Sequence, residues 1–190
     1  AVETITELIE YYKGIFTILS SCAARQLEEV TFRRNTIPVQ ELFDAAGKYF
    51  RKVTKNRTEK VELIIEPMDA KVIGDANQLR FLFENLIDEA LAVREEGVIR
   101  LQARKDNEYI RFLFTDTRRE KSVTELNQLF YPNLARMTSG EKGELRGTEY
   151  LICKQIIRDH DEFAGRRGCR INAEPAEGGG FTVYFTIPRR

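Results

Sequence analysis

One histidine, three cysteines, no long apolar run and no net charge set the first limits on this 190-residue sequence. With His160 as its only imidazole, the chain cannot build a metal centre on several histidines, and a His-dependent nucleophilic triad has a single candidate base. Cys22, Cys153 and Cys169 are odd in number and lack metal-ligand spacing. Each has apolar neighbours, so they read as buried, reduced thiols in a reducing compartment. Thirty basic residues cancel thirty acidic ones. That balance gives no bulk attraction for nucleic acid or an anionic membrane, and nucleic acid is not expected as a partner. No apolar run approaches the ~18 residues of a membrane span, and no secretory leader opens the chain. The sequence begins at Ala1, already inside a hydrophobic pattern. It reads as a cytoplasmic fragment of a longer protein, in which a membrane segment could only lie upstream.

What is present is a globular composition, 42% hydrophobic and 32% charged, with length for one ordinary domain and an arm. The arm is residues 1–32. Val2, Ile5, Ile9, Tyr12, Phe16, Leu19 and Ala23 follow the 3, 4 spacing of a heptad seam, and Leu8, Ile15 and Cys22 widen it. A stripe this wide predicts a helix of a bundle, pairing with a second copy through Ile5, Ile9, Tyr12, Phe16 and Leu19. Asn35-Thr36-Ile37-Pro38 breaks the pattern.

A domain over 38–190 follows. Helical periodicity predicts helices from about Val39 to Lys55, from a cap at Asp75 to about Glu96, and from Gly147 to Asp159. Alternation predicts strands at Val61–Glu66, Val98–Lys105, Tyr109–Thr115, Gly168–Pro175 and Phe181–Pro188, with a short one at Val72-Ile73. A tight turn at Asp106-Asn107 and a glycine turn at Gly178-Gly179-Gly180 close two hairpins. The polar stretch from Asp116 to Arg146 carries one short helix near Val123–Phe130 and is long enough to be functional. The predicted fold is α+β, a two-layer sandwich. Three helices cover a mixed, mostly antiparallel sheet, and a coiled-coil-type helix precedes it.

Several segments, in their order, resemble the catalytic, ATP-binding half of sensor histidine kinases, within the gyrase, Hsp90, histidine kinase and MutL ATPase superfamily. They are Val72 to Leu79 before the second helix, Glu84-Asn85-Leu86-Ile87-Asp88-Glu89-Ala90 on it, and Phe112-Leu113-Phe114-Thr115-Asp116 ending a strand. Gly147 to Lys154 and the closing Phe185-Thr186-Ile187-Pro188 complete the series. The resemblance implies ATP and Mg²⁺ as cofactors. It implies Asn85, Asp116, Gly147 and Lys142 as nucleotide-site positions, with Asp116 toward an adenine amine, and Glu89 beside Asn85 as a metal position. It further implies a phosphoacceptor histidine upstream of Ala1 and a response regulator receiver domain as partner.

The departures from the family pattern bear on function. Glu89 stands where the family has a second Asn. It is either a hard-cation ligand or a surface carboxylate that repels phosphate. Arg118 and Glu120 replace the two glycines after Asp116 and restrict the backbone there; Asp116 itself is either an adenine anchor or an ordinary turn residue. Glu149 replaces a glycine where bare helix amides would meet phosphate. Lys142 either reaches a phosphate or belongs to a solvated loop flanked by Gly140 and Gly143. His160 reads as a helix C-terminal residue explained by the helix dipole, with no chemistry assigned. The expectation is a sensor histidine kinase fragment with a weak or absent ATP site and no catalytic residue of its own. A non-catalytic pseudokinase or scaffold, or a histidine phosphotransferase docking a response regulator, is the alternative.

Overall fold

In the computed structural model, residues 4–9, 12–13, 32–132 and 148–190 are described. Residues 4–9 and 12–13 are helical, with Ile5, Ile9 and Tyr12 exposed. Phe16 and Leu19 of the seam lie outside the described residues, as do Cys22, Gly140, Lys142, Gly143 and Gly147.

The elements run β1 (Asn35–Pro38), α1 (Val39–Thr54), β2 (Val61–Ile65), β3 (Lys71–Gly74), α2 (Ala76–Leu91), β4 (Gly97–Asp106), β5 (Tyr109–Asp116), α3 (Val123–Asn127), α4 (Glu149–Phe163), β6 (Ile171–Pro175) and β7 (Phe181–Pro188). Five strands form one sheet in the order β2-β4-β5-β7-β6. Only β2 and β4 pair in parallel, Val61 opposite Gly97; the other neighbours are antiparallel. The α+β sandwich read from the sequence is therefore the fold.

Alternation decides which face is covered. Ile99 and Leu101 on β4, Ile110, Phe112 and Phe114 on β5, and Val183, Phe185 and Ile187 on β7 are all buried, and the cross-strand register sets them side by side. Phe112 stacks on its neighbour Phe185 at 4.9 Å. Phe43 of α1 and Phe83 of α2 meet Phe112 edge-on at 6.0 and 5.7 Å. This aromatic knot joins two helices to the two central strands, and such pairs each contribute about 0.5–1.5 kcal/mol beyond their area. The opposite face carries Arg100, Arg104, Arg111 and Thr186 beside Leu113 and Tyr184, and its side chains are more exposed.

Four local readings need correction. Asn35–Pro38, read as a break, is a strand that pairs antiparallel with β3. It is a separate two-stranded sheet, and Pro38 sits at its last position, where a missing N–H is tolerated. The β4–β5 turn is Asn107-Glu108, one residue later than expected, since Asp106 pairs with Tyr109; Asn107 takes the positive φ of 54° that the turn requires. α2 ends at Leu91 rather than near Glu96. It has no basic residue in its last turn. Two arginines from elsewhere take carbonyls at its end and just beyond it: Arg57 donates to Leu91 O and Val93 O, and Arg118 donates to Ala90 O and Glu95 O. The short helix in the long polar stretch is narrower than read, Val123–Asn127. Ser122 and Glu125 start it with a reciprocal capping box.

Candidate functional site

The sequence-predicted residues converge on α2. Asp75 caps its N-terminus, accepting hydrogen bonds from Asn77 N at 3.0 Å and Gln78 N at 3.1 Å. Asn85 follows almost three turns later. It is buried, and its Nδ2 donates to Phe81 O at 2.8 Å, so the amide nitrogen is turned back on its own helix. Glu89 lies one turn further and is half-buried. Among the described residues no group of three or more His, Cys, Asp or Glu side chains could hold a metal ion.

Asp116 reaches α2 through Arg118. The alternation Ile110, Phe112, Phe114, Asp116 puts this carboxylate on the covered face of the sheet, opposite Ile99 and Phe181. It is 1% exposed. A charge buried this far requires a partner, and Arg118 supplies it. The guanidinium donates from Nε to Oδ1 and from Nη2 to Oδ2, both at 2.9 Å, while Arg118 N donates to Oδ1 at 3.0 Å. Arg119 Nη2 stands 3.8 Å from Oδ2. Both carboxylate oxygens are thus taken by one planar fork, the geometry in which an Arg–carboxylate pair is strongest. The Arg118 side chain is itself 1% exposed. It passes over Gly97, where an added Cβ would lie 2.8 Å from Arg118 Cγ. On the other side Gly180, at φ +81°, lets its hairpin close on Asp116, because a Cβ there would come within 2.0 Å of Asp116 O.

The flank between α1, α2 and α4 is acidic. The Tyr49 hydroxyl donates to Asp88 Oδ1 at 2.6 Å. Burial, that hydrogen bond and the charges of Asp88 and Glu84 push the phenol above its ordinary range. Asp88 is raised by burial and by the charge of Glu149, although the Tyr49 hydrogen bond opposes the shift. Glu149 begins α4, and its Oε2 is buried without a hydrogen-bond donor among the described residues. Burial and the charges of Glu149 and Glu89 raise the Cys153 thiol, which sits 3.7 Å from Leu82 O. Cys153 and Cys169 are buried free thiols, as expected.

His160 corrects the dipole reading. It is fully buried. Its Nδ1 lies 2.8 Å from Ile156 O, which can only accept, so Nδ1 carries the proton. Nε2 is then free to accept from Asp75 N at 3.1 Å. The imidazole is neutral, and burial holds its pKa below the ordinary value. Phe32 packs edge-on against it at 4.8 Å, and Arg33 N donates to Asp75 Oδ2 at 2.9 Å. His160 and Asp75 together fasten the residues after the N-terminal helix to both α2 and α4.

Sequence reasoning missed two things here. It weighed Arg118 only as lost backbone freedom, although a carboxylate in step with three buried positions signals a buried counter-charge. It gave no role to Tyr49 beyond the α1 stripe.

Comparison with known proteins gives one direction. The profile of histidine kinase-, DNA gyrase B- and HSP90-like ATPases matches residues 74–190. The signal transduction histidine-protein kinase BaeS of Escherichia coli (strain K12) is 24% identical over 163 residues, 84% of this chain and 33% of the relative. The chain thus spans about a third of the length of this curated protein. A nucleotide-free catalytic domain of the histidine kinase ThkA superposes with TM-score 0.65 at 20% identity, covering 83% of this chain and 96% of that one. ThkA in complex with the response regulator TrrA gives TM-score 0.63 at 18% identity, covering 100% of this chain and 53% of that one. No described helix is long and apolar enough to cross a membrane.

Proposed function

Because the chain belongs to the histidine kinase-, DNA gyrase B- and HSP90-like ATPase family, we propose that it is the catalytic-domain portion of a two-component sensor protein whose nucleotide site is weak or closed. The occupied Asp116 carboxylate carries this reading: Arg118 holds both oxygens in a buried bidentate pair. An adenine amine at the group that the resemblance assigns to it would have to compete with this charge-assisted fork. The carboxylates Glu84, Asp88, Glu89 and Glu149 around α2 and α4 add negative potential where phosphates would lie. Among the described residues, this arrangement disfavours ATP and Mg²⁺.

The domain then acts by position more than by chemistry. It is a folded body in which Phe32, the first residue described after the N-terminal helix, packs on His160. That helix is proposed to pair with a second copy through its exposed Ile5, Ile9 and Tyr12, together with Phe16 and Leu19. A response regulator receiver domain is the proposed partner, as the ThkA complex with TrrA is one of its structural likenesses. The domain is proposed to work in the cytoplasm.

Calorimetry with Mg-ATP tests the reading. The wild-type chain is expected to bind in the millimolar range or weaker. Arg118→Ala, checked for folding by circular dichroism, is expected to tighten binding by at least about tenfold, or ~1.4 kcal/mol. Micromolar wild-type binding that Asp116→Asn abolishes would overturn the proposal, because Asp116 would then be exchanging Arg118 for nucleotide.

A further inference from the structure

A groove of about 500 Å³ runs between α4 and the start of β6, away from Asp116 and the acidic flank. Its floor is apolar: Ile157 and Cys169 are buried, and Ile171 is partly so. Its rim is cationic, with Lys154 and Arg158 on one wall and Arg167 and Arg170 on the other. Asp161 is the one carboxylate in the lining, and it is already engaged. Its Oδ1 accepts from Gly168 N at 2.6 Å and Cys169 N at 3.0 Å, and its Oδ2 faces Arg167 Nη1 at 3.2 Å. Among the described residues, Arg158 and Arg170 have no ion-pair partner.

This arrangement works against the stability of the chain. Lys154 and Arg158 are like charges at i and i+4 on one helix face, a spacing that destabilises a helix. Burial and the Arg158 charge together push the Lys154 ammonium below its ordinary range, and Lys154 rests over the Tyr131 ring at 4.3 Å. An anion laid along the rim removes this repulsion. The apolar floor narrows the choice of anion, because phosphate backbones offer nothing to bury against Ile157 and Ile171, whereas a peptide side chain does. The chain also has zero net charge, so no long-range field draws in a polyanion.

We infer that the groove between α4 and β6 is a docking site for an acidic peptide segment of a partner protein, with carboxylates on Arg158 and Arg170 and an apolar side chain on the floor between them. The inference rests on the groove alone and is independent of nucleotide binding.

Fluorescence anisotropy on the full chain, with a labelled peptide of alternating Glu and Leu as probe, tests it. Binding is expected to weaken about tenfold for Arg158→Glu and again for Arg170→Glu, and to weaken with added salt. Both side chains are exposed, so the fold should survive; Arg100→Glu, on the open sheet face, should leave binding unchanged. Absent wild-type binding, or binding that all three variants retain, overturns the proposal. So does a single-stranded oligonucleotide that binds as tightly with the same arginine dependence, since the groove would then be a general polyanion site.

Discussion

At the scale of single residues, the sequence marks which groups matter but not which partner each one takes. Asp116 was legible as a site residue, and its in-step position with Ile110, Phe112 and Phe114 implied burial. The fork of Arg118 was not legible, because it depends on Gly97 leaving room for the side chain to turn back. His160 is the sharper case. A histidine near a helix end reads as a cation on the dipole, whereas three-dimensional packing makes it a neutral bridge from Ile156 O to Asp75 N. Its titration has a definite sign. In the unfolded chain it takes a proton near 6.5, its ordinary value. In the folded chain it resists that proton, because its pKa is depressed by burial. Stability should therefore be constant in this term above about pH 6.5 and fall below it, by up to ~1.4 kcal/mol per pH unit, until the folded pKa is passed. Urea denaturation of the wild type and His160→Gln across this range checks it: the difference between the two curves should narrow as pH falls. A constant difference would mean that the imidazole titrates alike in both states.

At the scale of elements, alternation and helical periodicity located every strand of the main sheet and the three covering helices. They failed where pattern was short or where remote residues decide. Four residues ending in proline carry too little alternation to mark β1, and its strand identity comes from β3 opposite. The end of α2 is fixed by Arg57 and Arg118 from two other segments, which no local signal reveals. The junction of β3 with α2 has a constraint of its own. A Cβ on Gly74 would lie 2.7 Å from His160 Nε2 and 2.8 Å from His160 Cδ2. Gly74→Ala should cost about 1–3 kcal/mol, the usual range for overpacking. The double variant Gly74→Ala with His160→Ala should lose less than the sum of the two single losses, because the clash is gone. Chemical denaturation of the four proteins measures both effects; strict additivity would show that the ring is not what excludes the methyl group.

At the scale of the whole molecule, the arm and the sandwich differ in how completely they bury what they carry. The aromatic knot of Phe43, Phe83, Phe112 and Phe185 is closed off from solvent, while Ile5, Ile9 and Tyr12 are 59%, 50% and 64% exposed. Apolar side chains at heptad spacing that find no cover on their own chain are suited to a second copy. Sedimentation velocity over a concentration series should show the wild type moving toward a dimer, and Ile5→Asp with Ile9→Asp holding at monomer mass. Equal masses for both proteins would remove the seam.

The small sheet ties the two ends of the domain together. β3 lies between two partners. Pro38 of β1 pairs with Lys71, and just after β7, Arg189 bridges Val72 and Arg190 N donates to Lys71 O at 3.1 Å. β1 and the segment that leaves the last strand therefore meet at the same two residues, Lys71 and Val72. β1 and the end of β7 are thus linked through β3 by backbone pairing that does not involve the aromatic knot. The entry and the exit of the sandwich are clasped at one edge, so loosening β3 would free both together.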